Sequence, residues 1–228
     1  MKLPYSPSQW VKVERNASGD KKHKPWHIDA DGREVKGKGS APWPLWREAD
    51  ALAYGPMRLL VEAEGEKCAD WPRAGGLVCV SQPGHDHTLA SITRRYQRLV
   101  EAGVAGVLYL ADNDKTGRQK AEKCQRAAAA AGLPLLVVPA VAVWPSLPEG
   151  GSIDDAPGTA AERVAALLAA IPAVLERQQE EEDGKQKPLT FEQRWELLEL
   201  HAAEMACATW PVMKTVASLA CKASELEI

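Results

Sequence analysis

"GVLYLADNDKTGRQKAEKCQRAAAAAG" (106–132) changes character within a few residues. Gly106 to Ala111 are apolar without alternation, as in a strand buried on both faces. Asp112, Asn113 and Asp114 follow at once. From Lys115 the chain mixes Ala with Lys, Arg and Glu as a helix does, and Gly132 stands where that helix would stop. Strand, acidic turn and helix make half of a βαβ unit. The alternation continues on both sides. "MRLLVEA" reads as a strand, "GEKCADWPRA" as a short helix limited by Pro72, and "GLVCVSQ" as the next strand. "TLASITRRYQRLVEAG" reads as a helix with Leu89, Ile92, Tyr96, Leu99 and Val100 on one face, leaving Arg94, Arg95 and Arg98 on its solvated face. "PLLVVPA" and "TAAERVAALLAAIPAVLERQQ" add a strand and a helix. The pattern predicts an α/β fold: a small Rossmann-like parallel sheet of about four strands, flanked by helices.

The flanks differ from this core. Residues 1–56 form a polar, turn-rich and basic segment, expected to be irregular apart from a hairpin in "HIDADGREV" around Asp31-Gly32 and a short helix over 46–55. Its lysines, Lys22, Lys24, Lys36 and Lys38 among them, suit either a solvated flap or an arm that tracks phosphates. Residues 57–175 hold the α/β domain, 176–189 a charged linker, and 190–228 a helical extension broken at Pro211. Of 228 residues, 45% are apolar; the net charge is −3. That balance excludes a globally basic nucleic-acid-binding surface. No apolar run is long enough to span a membrane, and the expected location is the cytoplasm. Five cysteines without a C-x-x-C pair argue against a zinc ribbon and for small core residues. Trp10, Trp26, Trp43, Trp46 and Trp71 read as packing anchors, with base stacking as the alternative.

Right-handed crossovers gather the loops beyond the carboxyl ends of parallel strands at one edge. Glu64 ends the first strand there, with Gly65 taking the turn. Asp112 and Asp114 end the third; an extended chain would put both side chains on one side, about 6.5 Å apart at Cα. "GSIDDAP" brings Asp154 and Asp155 after the fourth strand. Carboxylates that close repel unless a cation lies between them, and Mg²⁺ or Mn²⁺ suits an all-oxygen donor set. Glu, Asp-x-Asp and a later acidic pair suit phosphoryl transfer. Simpler roles fit the same residues: a helix-dipole carboxylate at Glu64, turn and cap residues at 112–114.

"VEAEGEKCAD" and "LADNDKTGRQKA" together resemble the Toprim family shared by primases, topoisomerases and some nucleases, over roughly residues 57–172. "DNDKTG" before a helix rich in Ala and Lys looks most like the primase and primase–helicase branch of phages, plasmids and mobile elements. The resemblance implies Glu64 as the acid/base residue and Asp112 and Asp114 as ligands of Mg²⁺ (or Mn²⁺), with Asp154 as a third acidic ligand. By position rather than by resemblance, Lys67 and Lys115 sit beside these acids and suit phosphate contact or, equally, exposed places on helices. Ser152 stands where the family pattern suggests Asp. The implied partners are single-stranded DNA, nucleotides and a replicative helicase. A metal-dependent nuclease and a non-catalytic docking module remain alternatives. "PGHDH" places His85, Asp86 and His87 at the same edge, where a polar loop is preferred to a metal site. The enzymatic reading requires Glu64 to face the two aspartates with no lysine already in the gap.

Overall fold

The computed structural model describes residues 1–15, 21–54 and 59–183. The predicted extension over 190–228, with Cys207 and Cys221, lies outside the described residues. So do Met57 and Arg58 at the start of the predicted first strand.

The basic segment holds more regular structure than its composition suggests. β1 (Lys2–Ser6), β2 (Gln9–Arg15), β3 (Lys21–Ile28) and β4 (Glu34–Lys36) form an antiparallel sheet in sequential order. The turn between β3 and β4 is closed by Asp29, whose Oδ1 accepts from Asp31 N and Arg33 N. Alternation sorts the two faces. Leu3, Tyr5, Val11 and Val13 pack against the rest of the molecule. The register puts Lys2, Lys12 and Lys24 in one row across the other face, and Trp10, Trp26 and Lys36 in the next. The lysines there lie on the tryptophans, Lys2 Nζ 3.7 Å from the Trp10 ring centre and Lys12 Nζ 3.6 Å from that of Trp26.

After α1 (Glu48–Ala53) the chain enters the α/β domain: β5 (Leu59–Ala63), α2 (Asp70–Ala74), β6 (Cys79–Ser81), α3 (Leu89–Glu101), β7 (Gly106–Ala111), α4 (Lys115–Ala131), β8 (Leu135–Pro139), α5 (Ala140–Val143) and α6 (Ala160–Asp183). The four strands are parallel in the order β6-β5-β7-β8. Each face carries its own core. Val61, Leu108, Leu110 and Val138 pack with α6 residues such as Leu167 and Ile171. Leu60, Val107, Tyr109 and Val80 pack with Ile92, Tyr96 and Leu99 of α3 and Cys124 of α4. Cys68, Cys79 and Cys124 are buried free thiols. At the β6 margin Trp46 N donates to Ser81 O; at the β8 margin the Gln178 side chain of α6 donates to Val137 O.

α3 departs from its predicted face. Leu89 and Val100 are exposed, while Arg95 is only 1% exposed. Arg95 Nε donates to Trp43 O at 2.7 Å, and its two Nη atoms bond Gln82 Oε1, Asp86 O and Asp86 Oδ2. A buried guanidinium persists because its donors are met, and these partners tie the N-terminal segment to the α/β domain.

Candidate active site

β5 and β7 are neighbours, with Ala63 opposite Leu110, so their carboxyl ends deliver Glu64 and Asp112 side by side. Glu64 Oε1 accepts from Asp112 N at 2.9 Å, and the Glu64 side chain is 4% exposed. Asp114 caps α4, its Oδ1 accepting from Gly117 N at 2.5 Å. That cap sets the first helical turn directly against the glutamate. A Cβ on Gly117 would stand 2.6 Å from both Glu64 Oε1 and Asp112 O, so only glycine fits.

Asn113 staples the neighbouring loop. Its Nδ2 donates to Pro148 O at 2.9 Å, and its backbone exchanges bonds with Gly150 N and Gly151 O. Asp112 Oδ1 accepts from Ile153 N at 3.2 Å. Ser152 opens a single 3-10 turn over Ile153–Asp155: its Oγ accepts from Asp154 N, and Asp155 Oδ2 accepts from Ser152 N. That capping role accounts for a serine there. Asp154 reaches the shared edge, but Lys67 Nζ holds its Oδ2 at 2.5 Å. Asp154 keeps an Oδ1 with no hydrogen bond among the described residues, and Lys67, though 75% exposed, is no unpaired cation. Beside them Cys68 Sγ lies 3.3 Å from Ser152 Oγ, and burial pushes the thiol up to about 12.

The gap is not open. Lys120, one turn along α4 from Gly117, places Nζ 2.8 Å from Glu64 Oε2. Burial opposes the lysine's charge, but the bond to Glu64 and the charges of Glu64, Asp112 and Asp114 outweigh it and hold its pKa above the ordinary value. Burial, and next the charge of Glu64, lift Asp112 to about 6. Both oxygens of Glu64 are thus engaged, whereas Asp112 and Asp114 each keep an Oδ2 with no hydrogen bond among the described residues. No three His, Cys, Asp or Glu side chains among the described residues are set to hold a metal ion between them. The donor set fits a Mg²⁺ that takes one or two carboxylates and completes its shell with phosphate and water, not an all-protein cage.

The other predicted residues are dispersed. Lys115 is exposed at the first residue of α4. Lys22 and Lys36 are exposed, and Lys24 pairs with Glu14, all on the sheet face turned away from the α/β domain. Lys38 is exposed beyond β4, its carbonyl accepting from Trp43 Nε1. His85 packs edge-on to Trp43, ring centres 4.0 Å apart, and burial holds both His85 and His87 down at about 4. Tyr5 OH donates to Glu66 Oε1, which ties the first sheet to the loop that carries Glu64. Sequence reasoning missed Lys120 and Gly117. Their signal was helical spacing: Gly117, Ala121, Cys124 and Ala128 are the buried stripe of α4, and Lys120 borders it.

No family model matches the chain, and no curated protein matches it in sequence. Among solved structures it is similar to a DNA primase domain from Pseudomonas aeruginosa, at 16% identity and a TM-score of 0.42, covering 95% of this chain and 67% of that one. It is also similar to the DnaG catalytic core, at 15% identity and a TM-score of 0.42, covering 94% of this chain and 69% of that one. At this level of likeness no chemistry carries over. What the molecule itself presents is a four-stranded parallel α/β domain whose strand ends join Glu64, Asp112 and Asp114, with a lysine already bound to the glutamate.

Proposed function

We propose that this chain is a Toprim-type enzyme that transfers nucleotidyl groups on nucleic acid, with primer synthesis on single-stranded DNA as its reaction. The observation that supports this most is the 2.9 Å bond from Asp112 N to Glu64 Oε1, which sets the two resemblance motifs at one rim with Asp114 beside them. In the reaction the 3′-hydroxyl of one nucleotide attacks the α-phosphorus of a nucleoside triphosphate. A P–O bond forms, the α–β P–O bond breaks, and pyrophosphate leaves. Asp112 and Asp114 would hold Mg²⁺ through their open Oδ2 atoms, and the ion would neutralise charge building on the phosphate. Glu64 would accept the hydroxyl proton at Oε2 once Lys120 releases that atom. Lys115, exposed at the start of α4, would meet the triphosphate; Lys67 could do so only by leaving Asp154. Lys22, Lys24, Lys36 and Lys38 would carry the template backbone, and a helicase would supply unwound strand.

One observation weighs against this reading and favours a second: Lys120 already stands in the gap that the enzymatic reading requires to be empty. The Glu64–Lys120 pair leaves the glutamate satisfied without any metal, as a non-catalytic nucleic-acid or protein docking module would have it. The test is primer synthesis from single-stranded DNA, ribonucleotides and Mg²⁺ or Mn²⁺. Short products that Glu64→Gln abolishes support the primase reading, and degradation of labelled DNA supports a nuclease. Silence in both assays, with no Mn²⁺ bound, leaves the docking module.

A further inference from the structure

Lys120 sets a positive charge directly against the enclosed carboxylate of the rim. Glu64 is almost wholly enclosed, and a carboxylate so enclosed is costly to bury without a partner of opposite charge. Lys120 Nζ supplies that charge at 2.8 Å, and its charge also acts on Asp112 and Asp114. It comes from a rigid position. α4 runs from Lys115 to Ala131, and its first turn is locked to the rim by the Asp114 cap and by the glycine contact at 117. The side chain is still about one-third exposed, so its head group can swing toward solvent without unpacking the helix. Lys67, a further cation near this rim, is committed to Asp154 on the far loop.

We infer that Lys120 is a built-in counter-ion of this rim, which holds Glu64 in place while no divalent ion is bound and yields to such an ion when one arrives. Lys120 is a positioning residue: it acts through Glu64. The inference rests on the metal-dependent reading above. Two positive groups cannot share one small acidic rim without mutual repulsion, so removal of the lysine should tighten divalent-ion binding and loosen the ion-free protein.

The experiment compares the full chain with its Lys120→Met and Lys120→Arg variants. Mn²⁺ binding is read by calorimetry or by the loss of the free-ion paramagnetic signal, and thermal unfolding is read in EDTA. Lys120→Met should bind Mn²⁺ at least about tenfold tighter and melt earlier in EDTA, with the loss recovered in Glu64→Gln/Lys120→Met. Lys120→Arg, which keeps the charge, should bind Mn²⁺ as the unmodified chain does. Mn²⁺ binding that is equal or weaker in Lys120→Met overturns the counter-ion role alone. No Mn²⁺ binding by any of the three also overturns the metal-dependent reading. If Lys120→Met fails to fold, Lys120→Gln takes its place, and unchanged Mn²⁺ affinity there overturns the inference equally.

Discussion

Glu62 lies two residues before the rim and has a different fate. It is fully buried on the α3 and α4 side of the sheet, where Tyr96 OH donates to its Oε2 at 3.0 Å and Cys124 Sγ faces Oε1 at 3.9 Å. Burial raises its pKa to about 7, against an ordinary 4.5. The folded state therefore prefers the protonated acid. Its contribution to stability is complete below about 4.5 and is lost as pH rises through about 7. Glu62→Gln keeps the hydrogen-bonding shape without the charge. The variant should match the unmodified chain near pH 5 and exceed it by about 2–3 kcal/mol at pH 9, measured as the difference in denaturant unfolding at each pH. His85 and His87, held down at about 4, work in the opposite sense: their contribution is complete above 6.5 and is lost as pH falls toward 4. They are common to both proteins, so the comparison isolates Glu62.

At the scale of elements, Arg95 decides how α3 sits. Four acceptors from three residues converge on one enclosed guanidinium. Arg95→Met would fill the space but strand those acceptors, and should cost roughly 3–5 kcal/mol in chemical unfolding. Arg95→Lys should recover only part, because an ammonium cannot reproduce the planar fork. Periodicity alone assigned this arginine to solvent: it lies next to Tyr96 on α3, and nothing local tells a helix which of its polar residues will meet a carbonyl from Trp43, far off in sequence. The parallel strands were legible because continuous apolar runs such as Val107–Leu110 have few other uses. The first sheet was not. Pro4 and Pro25 interrupt β1 and β3, and the lysine rows hide a two-residue alternation in which Val11 and Val13 point inward. At the site, the order of Glu64, Asp112 and Asp114 along the chain was readable, and so was their meeting at a common edge. Lys120 was not, since its role depends on the distance between a helix and the strand beside it.

At the scale of the molecule, charge is unevenly shared. Net charge is −3, yet one face of the first sheet carries Lys2, Lys12, Lys22, Lys24 and Lys36 against Glu14 and Glu34. If single-stranded DNA follows this face and the stretch just beyond β4, replacing Lys22, Lys36 and Lys38 by Gln should lower the slope of log affinity against log salt by about 2, at about 0.7 per phosphate contact. Fluorescence anisotropy of a labelled oligonucleotide across a salt series reads that slope, and an unchanged value removes these lysines from the binding path. The two side-on bonds of the parallel sheet have a separate consequence. Ser81 O is taken by Trp46 and Val137 O by Gln178, so neither outermost strand offers an unbroken ladder to a strand from outside. β-Augmentation, and runaway stacking of one copy upon another, are thereby discouraged at both borders, and a visiting macromolecule must engage loops, helices or the lysine-bearing surface instead.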